Sequence, residues 1–179
     1  MDRSAVFVDA GYLFASGAKL VTGSLPPRSQ LHLDHERVLE LLVEKVREQS
    51  PLPLLRVYWY DGASHGPNPA HIALAFRESL KLRLGLVDEH GGQQGVDQLL
   101  AGDLVTLARN HAIADALLVS GDDDLRPAVE DAQALGVRVH LLGIAPIREN
   151  QAAALVQAAD TSRELSAAEV GSFLSRRSK

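Results

Sequence analysis

Short apolar runs that stop at acids or glycines alternate along this chain with longer stretches in which apolar residues return every three or four positions. Residues 5–8 (AVFV) are apolar without a break and end at Asp9, the pattern of a strand buried on both faces. Gly11 permits a tight exit into a short helix, and residues 22–30, with Gly23, Pro26 and Pro27, read as a loop. Asp34 suits the N-cap of a helix through about residue 49, in which Val38, Leu41, Leu42 and Val46 keep helical spacing. Residues 54–60 (LLRVYWY) carry the β-branched and aromatic content of a second strand and lead into Asp61 and Gly62. Alternation along that strand sends most of Tyr58, Trp59 and Tyr60 to the core rather than to base stacking.

The pattern continues in the second half. After a Gly, Pro and His-rich loop, residues 72–83 are predicted helical, 85–87 a short strand, 90–95 a loop, and 96–110 a helix marked by Leu99, Leu100, Leu104, Val105 and Leu107. Residues 116–120 (ALLVS) read as a third buried strand, followed by GDDDL and a helix over 125–135 that stops at Gly136. A strand over 137–142 and a helix over 149–158 complete residues 1–165 as one domain, with 166–179 a docked helix or a tail. Strands alternating with helices predict an α/β fold, a three-layer αβα sandwich around a mostly parallel sheet with right-handed crossovers. In such sheets ligands bind beyond the carboxyl ends of the strands, where Asp9, Asp61 and Asp122 to Asp124 all fall.

Composition narrows the chemistry. The 179 residues suit one compact domain, and 46% hydrophobic with 23% charged content is that of an ordinary folded protein. The absence of cysteine excludes disulfides, thiolate catalysis and cysteine-ligated zinc. The N-terminus runs from charges straight into a short strand, unlike a signal peptide, and no segment approaches the roughly 18 apolar residues of a membrane span. Cytoplasmic residence without a membrane partner is the expectation. A net charge of −5 argues against a broad basic surface for nucleic acid. Lys45 with Arg47, and Arg77, Lys81 and Arg83 along the next predicted helix, are candidates for local positive patches or for solvated faces. His65, His71, His90 and His111 read as exposed polar residues, and no HExxH, Walker, GxSxG or Rossmann glycine pattern is present.

The strongest chemical signal is SGDDDL, Ser120 to Leu125, three carboxylates in succession between a buried strand and a helix. One acid there caps a helix; three repel one another unless a cation or solvent relieves them. Asp9 ends the first strand at the same edge of the sheet. Asp97 follows Gly95 and Val96 at a helix start, where an acid also complements the helix dipole. Asp103 lies six residues further on, about 600° around the helix, so the two acids face different ways and do not share one ion. Asp97 is the better ligand candidate, and Asp103 is placed to orient a neighbour or a water.

FVDAGYL at Phe7 to Leu13, QGVDQLLAGDL at Gln94 to Leu104, and VSGDDDLRPAV at Val119 to Val129, in that order, resemble the NYN branch of the PIN-like nuclease superfamily. The resemblance implies a PIN-like αβα sandwich and a cluster of acids that binds Mg²⁺ or Mn²⁺ to hydrolyse RNA. It assigns Asp9, Asp97, Asp122 and Asp124 as catalytic metal ligands, with Asp103, Asp123 and Ser120 as secondary candidates, single-stranded RNA as substrate and a homodimer as the assembly. No residue is assigned to substrate contact. Three positions depart from the family pattern: Gln94 stands where Lys is frequent, Asp123 where Ser is common, and Gly11 and Tyr12 where many members carry Asn. The alternatives are a catalytically degenerate domain that binds RNA or protein, and a different magnesium-dependent phosphohydrolase or Toprim-like domain. The last wants a glutamate at a strand end, where this chain has Asp9 and Asp61.

Overall fold

The computed structural model describes residues 2–64, 66–87 and 93–177. In chain order the elements are β1 (Ser4–Asp9), α1 (Ala10–Thr22), β2 (Leu31–Leu33), α2 (His35–Gln49), β3 (Leu54–Ala63), α3 (Pro69–Ala75), β4 (Leu80–Val87), β5 (Gln93–Gln94) and α4 (Val96–Arg109). They continue with β6 (Asp115–Val119), α5 (Arg126–Ala134), β7 (Arg138–Ile144), α6 (Ile147–Asn150), α7 (Ala153–Ala158), β8 (Thr161–Leu165), α8 (Ala167–Gly171) and β9 (Leu174–Arg176). The main sheet runs β5-β4-β3-β1-β6-β7-β8, and all of it is parallel except the two-residue β5.

The alternation of side chains along β1 and β3 divides the core. Val6, Val8, Val57 and Trp59 face α1, α2 and α8, whereas Ala5, Phe7, Tyr58 and Tyr60 face α4 and α5. Helices cover both faces, as the apolar runs predict, and the result is the three-layer αβα sandwich of a PIN-like fold. Tyr58, Trp59 and Tyr60 are all core residues. β1 lies at the centre, with β3 and β4 wound to one side and β6, β7 and β8 to the other. The winding reverses beside β1, which puts the switch point, where such sheets bind ligands, at the carboxyl ends of β1 and β6.

Several elements differ from expectation. Residues 72–83 are not one helix: α3 ends at Ala75, and Ser79 adopts a left-handed φ of 56° before β4 begins. Leu80, Leu82, Leu84 and Leu86 alternate with period two, and that strand signal outweighs the helical spacing read across them. Lys81 and Arg83 therefore lie on a strand. The helix over 149–158 is broken into α6 and α7, and the short exit helix after Asp9 has 13 residues. The segment after residue 165, expected as a docked helix or a tail, contains a short docked helix and a strand. It folds as α8 and then β9, which pairs antiparallel with β2. Phe173 and Leu174 are buried there, each worth about 1.5–3 kcal/mol of hydrophobic stabilisation. No helix among the described residues is long and apolar enough to cross a membrane.

Candidate functional site

Asp9 is both the last residue of β1 and the N-cap of α1. The parity that turns Ala5 and Phe7 toward α4 turns Asp9 the same way. The Tyr12 N–H donates to Oδ1 at 3.0 Å and the Ser120 hydroxyl to Oδ2 at 3.1 Å, so both carboxylate oxygens are fixed. Burial pushes the Asp9 carboxyl above its ordinary value; these hydrogen bonds pull it back, and the charge of Asp122 pushes it further up.

Ser120 follows β6 and is fully buried. While its hydroxyl donates to Asp9, it accepts from the Asp122 N–H at 3.3 Å, so one hydroxyl joins the first acid to the GDDDL turn. The turn is a 3-10 segment, Asp123–Leu125, capped by Asp122, whose Oδ1 accepts from the Asp124 N–H at 3.0 Å. Gly121 is required where it stands: a Cβ would come within 2.3 Å of the Asn150 carbonyl oxygen and 2.5 Å of the Tyr12 ring. Tyr12 is itself held by the Ile144 N–H, which donates to its hydroxyl at 2.9 Å, and the Gln151 amide donates to the Ser120 carbonyl at 2.7 Å. Tyr12 and Gln151, which bring the loop after β7 against the acidic turn, were not singled out by sequence reasoning. Tyr12 falls within the FVDAGYL motif with no role assigned to its side chain, and Gln151 carries no motif.

Gly95, with φ 80°, makes the left-handed entry to α4 and places Asp97 in its first turn. Burial, then the charges of Asp9, Asp122 and Asp124, push the half-buried Asp97 carboxyl up to about 6. Asp97 thus feels the other three acids across three strand-to-helix junctions. Among the described residues none of the four meets a Lys, Arg or His within salt-bridge distance.

The neighbouring acids behave differently. Asp103 faces away from this cluster: Arg83 donates to both its oxygens, at 2.8 and 2.7 Å, and the Tyr60 hydroxyl adds a bond at 2.9 Å. It fastens α4 to β3 and β4, and the neighbours it orients are Arg83 and Tyr60. Asp123 points to solvent, 3.5 Å from Arg126. Asp61 ends one residue beyond the level of Asp9 on the adjacent strand, on the opposite face, where Arg28 and His71 hold it at 2.6 and 3.0 Å. His71 is therefore buried in α3, contrary to its reading as an exposed loop residue, because it caps that helix and pairs with Asp61. His111 is exposed as expected, while His65 and His90 lie outside the described residues. Of the expected positive patches, Lys45 pairs with Glu169 and Glu48, Arg77 with Glu36 and Arg83 with Asp103.

A protein of Sinorhizobium fredii described as "Uncharacterized protein y4oD" is 50% identical over 106 residues, which cover 59% of this chain and 50% of that protein. The chain thus spans about half the length of that relative. No solved structure matches the chain. The family model for the NYN domain matches residues 3–166, from the start of β1 to the end of β8, and takes in Asp9, Asp97, Asp122 and Asp124. On that match the chain belongs to the NYN domain family, within the PIN-like nuclease superfamily.

Proposed function

We propose that this protein is a divalent-cation-dependent ribonuclease that hydrolyses phosphodiester bonds of single-stranded RNA at Asp9, Asp97, Asp122 and Asp124. One observation carries the proposal: the charges of Asp9, Asp122 and Asp124 all bear on Asp97, and among the described residues no Lys, Arg or His lies within salt-bridge distance of any of the four, whereas Asp61, Asp103 and Asp123 beside them are each met by an arginine. Mutual repulsion of this kind is unfavourable unless a cation from outside relieves it.

The donor set fits Mg²⁺ or Mn²⁺, being hard carboxylate oxygen throughout. No three acids or imidazoles among the described residues already enclose an ion, so the exposed Asp122 and Asp124 would have to turn inward to complete a shell. Asp9 and Asp122 would hold the main ion, with Asp97 and Asp124 completing its shell or a second site. A bound dication supplies positive charge for the phosphate and makes water more acidic. The chain's own part is positional. Tyr12 and Ser120 set the plane of the Asp9 carboxylate, the Asp122 cap fixes the acidic turn, and Asp97 stands ready as a proton acceptor second to its role as a ligand.

The test is incubation of purified protein with labelled single-stranded RNA, and DNA of the same sequence, in Mn²⁺, Mg²⁺ or chelator. RNA should be cut with either cation and left intact in chelator. Folded protein that cuts under neither cation, or equally well in chelator, overturns the proposal.

A further inference from the structure

We propose that a continuous basic trough on the α1 and α2 face, running from Gly11 beside Asp9 past Arg28 to Arg176 and Arg177, holds the phosphates of the RNA strand flanking the bond to be cut. Gly11, Phe14 and Arg28 line a hollow of about 280 Å³ that starts two residues from Asp9. Phe14 and Arg28 also wall the next, of about 490 Å³, which reaches His32, His35, His71 and Arg177. His32 and Arg177 in turn border a third, of about 400 Å³, shared with Arg176. Common walls make the three hollows one path leading away from the acidic edge.

Charge decides what the path would accept. Asp61 is the only carboxylate among the described lining residues, against three arginines. It is also saturated, by Arg28, by His71 and by its neighbouring Gly62 N–H at 2.8 Å. That contact and the Phe14 ring, 4.4 Å beneath the guanidinium, hold Arg28 in place before any ligand arrives. Arg28 has further N–H groups in a fork suited to phosphate oxygens. Arg176 donates to the Ser24 hydroxyl and Arg177 to the Leu31 carbonyl, both at 2.9 Å. These partners are neutral, and among the described residues neither arginine meets a carboxylate.

A separate groove between α2 and β4, about 550 Å³, makes the contrast. It is lined by Glu36, Glu40, Glu44 and Glu78 with only Arg47 and Arg77, and would repel a polyanion. In a chain of net charge −5, two exposed arginines at one short strand end thus meet no carboxylate among the described residues, on a path that begins at Gly11. A small anion would engage one of these groups; successive phosphates of a single strand would engage them in turn, as positive grooves that track a backbone do.

The inference rests on the ribonuclease reading for the identity of the polymer, so binding and cleavage are measured separately. Binding of a fluorescein-labelled 15-nucleotide single-stranded RNA is followed by anisotropy in chelator across a salt series. The Arg176→Gln, Arg177→Gln double variant should bind about tenfold more weakly, and its log–log salt slope should be shallower by about 1.4, two contacts at roughly 0.7 each. Arg47→Ala, in the glutamate-lined groove, should bind like the unaltered protein. Equal binding by the double variant, or no binding by the unaltered protein, overturns the trough. A second measurement needs no variant: on adding RNA the His32 and His35 ring signals should shift in the NMR spectrum, while that of His140, at the opposite end of the sheet, should not. A shift confined to His140 overturns it equally. If Mn²⁺-dependent cleavage is present and the double variant binds normally, the trough is wrong and the nuclease reading stands. If the double variant loses binding but no cation supports cleavage, the trough stands and the nuclease reading falls.

Discussion

β6 has a carboxylate at its amino end and leads into more at its carboxyl end, and the fold treats the two ends in opposite ways. Asp115, at the start, is fully buried; Arg138 donates to it at 2.7 and 2.9 Å, the Ser50 hydroxyl donates a third bond, and His140 lies 3.8 Å away. Asp122 and Asp124, beyond the end, join Asp9 and Asp97, and among the described residues only backbone N–H groups and one serine hydroxyl meet them. Residue type and sheet are the same. What differs is whether the chain itself provides the counter-charge, and that separates an acid that serves packing from one that serves an external cation.

The sharpest way to break this comparison is to neutralise one acid at each end. Asp97→Asn should lower RNA cleavage at least about a hundredfold, since about 2.7 kcal/mol of lost transition-state stabilisation suffices for that. It should leave the thermal midpoint unchanged or raised. Asp115→Ala should do the reverse. Arg138 is 57% exposed and returns to water, but the buried Ser50 hydroxyl loses its acceptor, and a buried polar group left unsatisfied costs about 1–3 kcal/mol. For a chain of this size that is a fall of roughly 2–12 °C, with cleavage retained well below the midpoint. Thermal melts and RNA cleavage on both variants decide it; destabilisation by Asp97→Asn would place that residue with the structural acids.

A smaller effect comes from the cation itself. An ion that binds the folded state alone stabilises it by about 2.7 kcal/mol at a hundred times its dissociation constant. Mn²⁺ and Mg²⁺ should therefore raise the midpoint of the unaltered protein and of Asp115→Ala by similar amounts, and that of Asp97→Asn by much less. An equal rise in all three would remove Asp97 from the ion's shell.

How visible this contrast is in the sequence depends on how far apart its partners lie. Asp9 and the Asp122 turn are legible because each terminates an apolar run short enough to be a buried strand, and a parallel sheet brings such ends to one edge. The salt bridges that set the other acids apart are not legible. Asp115 is answered from residues 50 and 138, and Asp103 from residues 60 and 83, none at a helical or strand-neighbour spacing. Parity accounts for Asp61: one residue beyond the level of Asp9, it faces the other layer and so belongs to the basic trough. β8 is not legible because its TSREL sequence lies on the sheet edge with four of five residues exposed, so no apolar signal marks it. β2 and β9, three residues each, exist only because they pair with one another.

The smallest effect, and the one that tests the physical cause directly, is the pH dependence of the cation-free protein. Asp97 is pushed from an ordinary value of 3.8 up to about 6, so the folded state holds its proton more tightly than the unfolded chain does. Between those values the folded protein carries the extra proton, and stability contributed by this group falls as pH rises. Asp9, also raised, adds in the same direction. Glu169 works oppositely: Lys45 lowers it from 4.5 to about 2, so its contribution is present above pH 4.5 and is lost as pH falls toward 2. Subtracting the stability of Asp97→Asn from that of the unaltered protein, both in chelator, cancels the Glu169 contribution. The difference should be near zero at pH 4 and should favour the variant by on the order of 1 kcal/mol at pH 7, after allowance for solvent screening of a half-exposed group. Saturating Mn²⁺ should abolish or reverse it. If instead the unaltered protein gained on the variant from pH 4 to 7 without any cation, Asp97 would have a positive partner within the chain, and the two ends of β6 would no longer differ in kind.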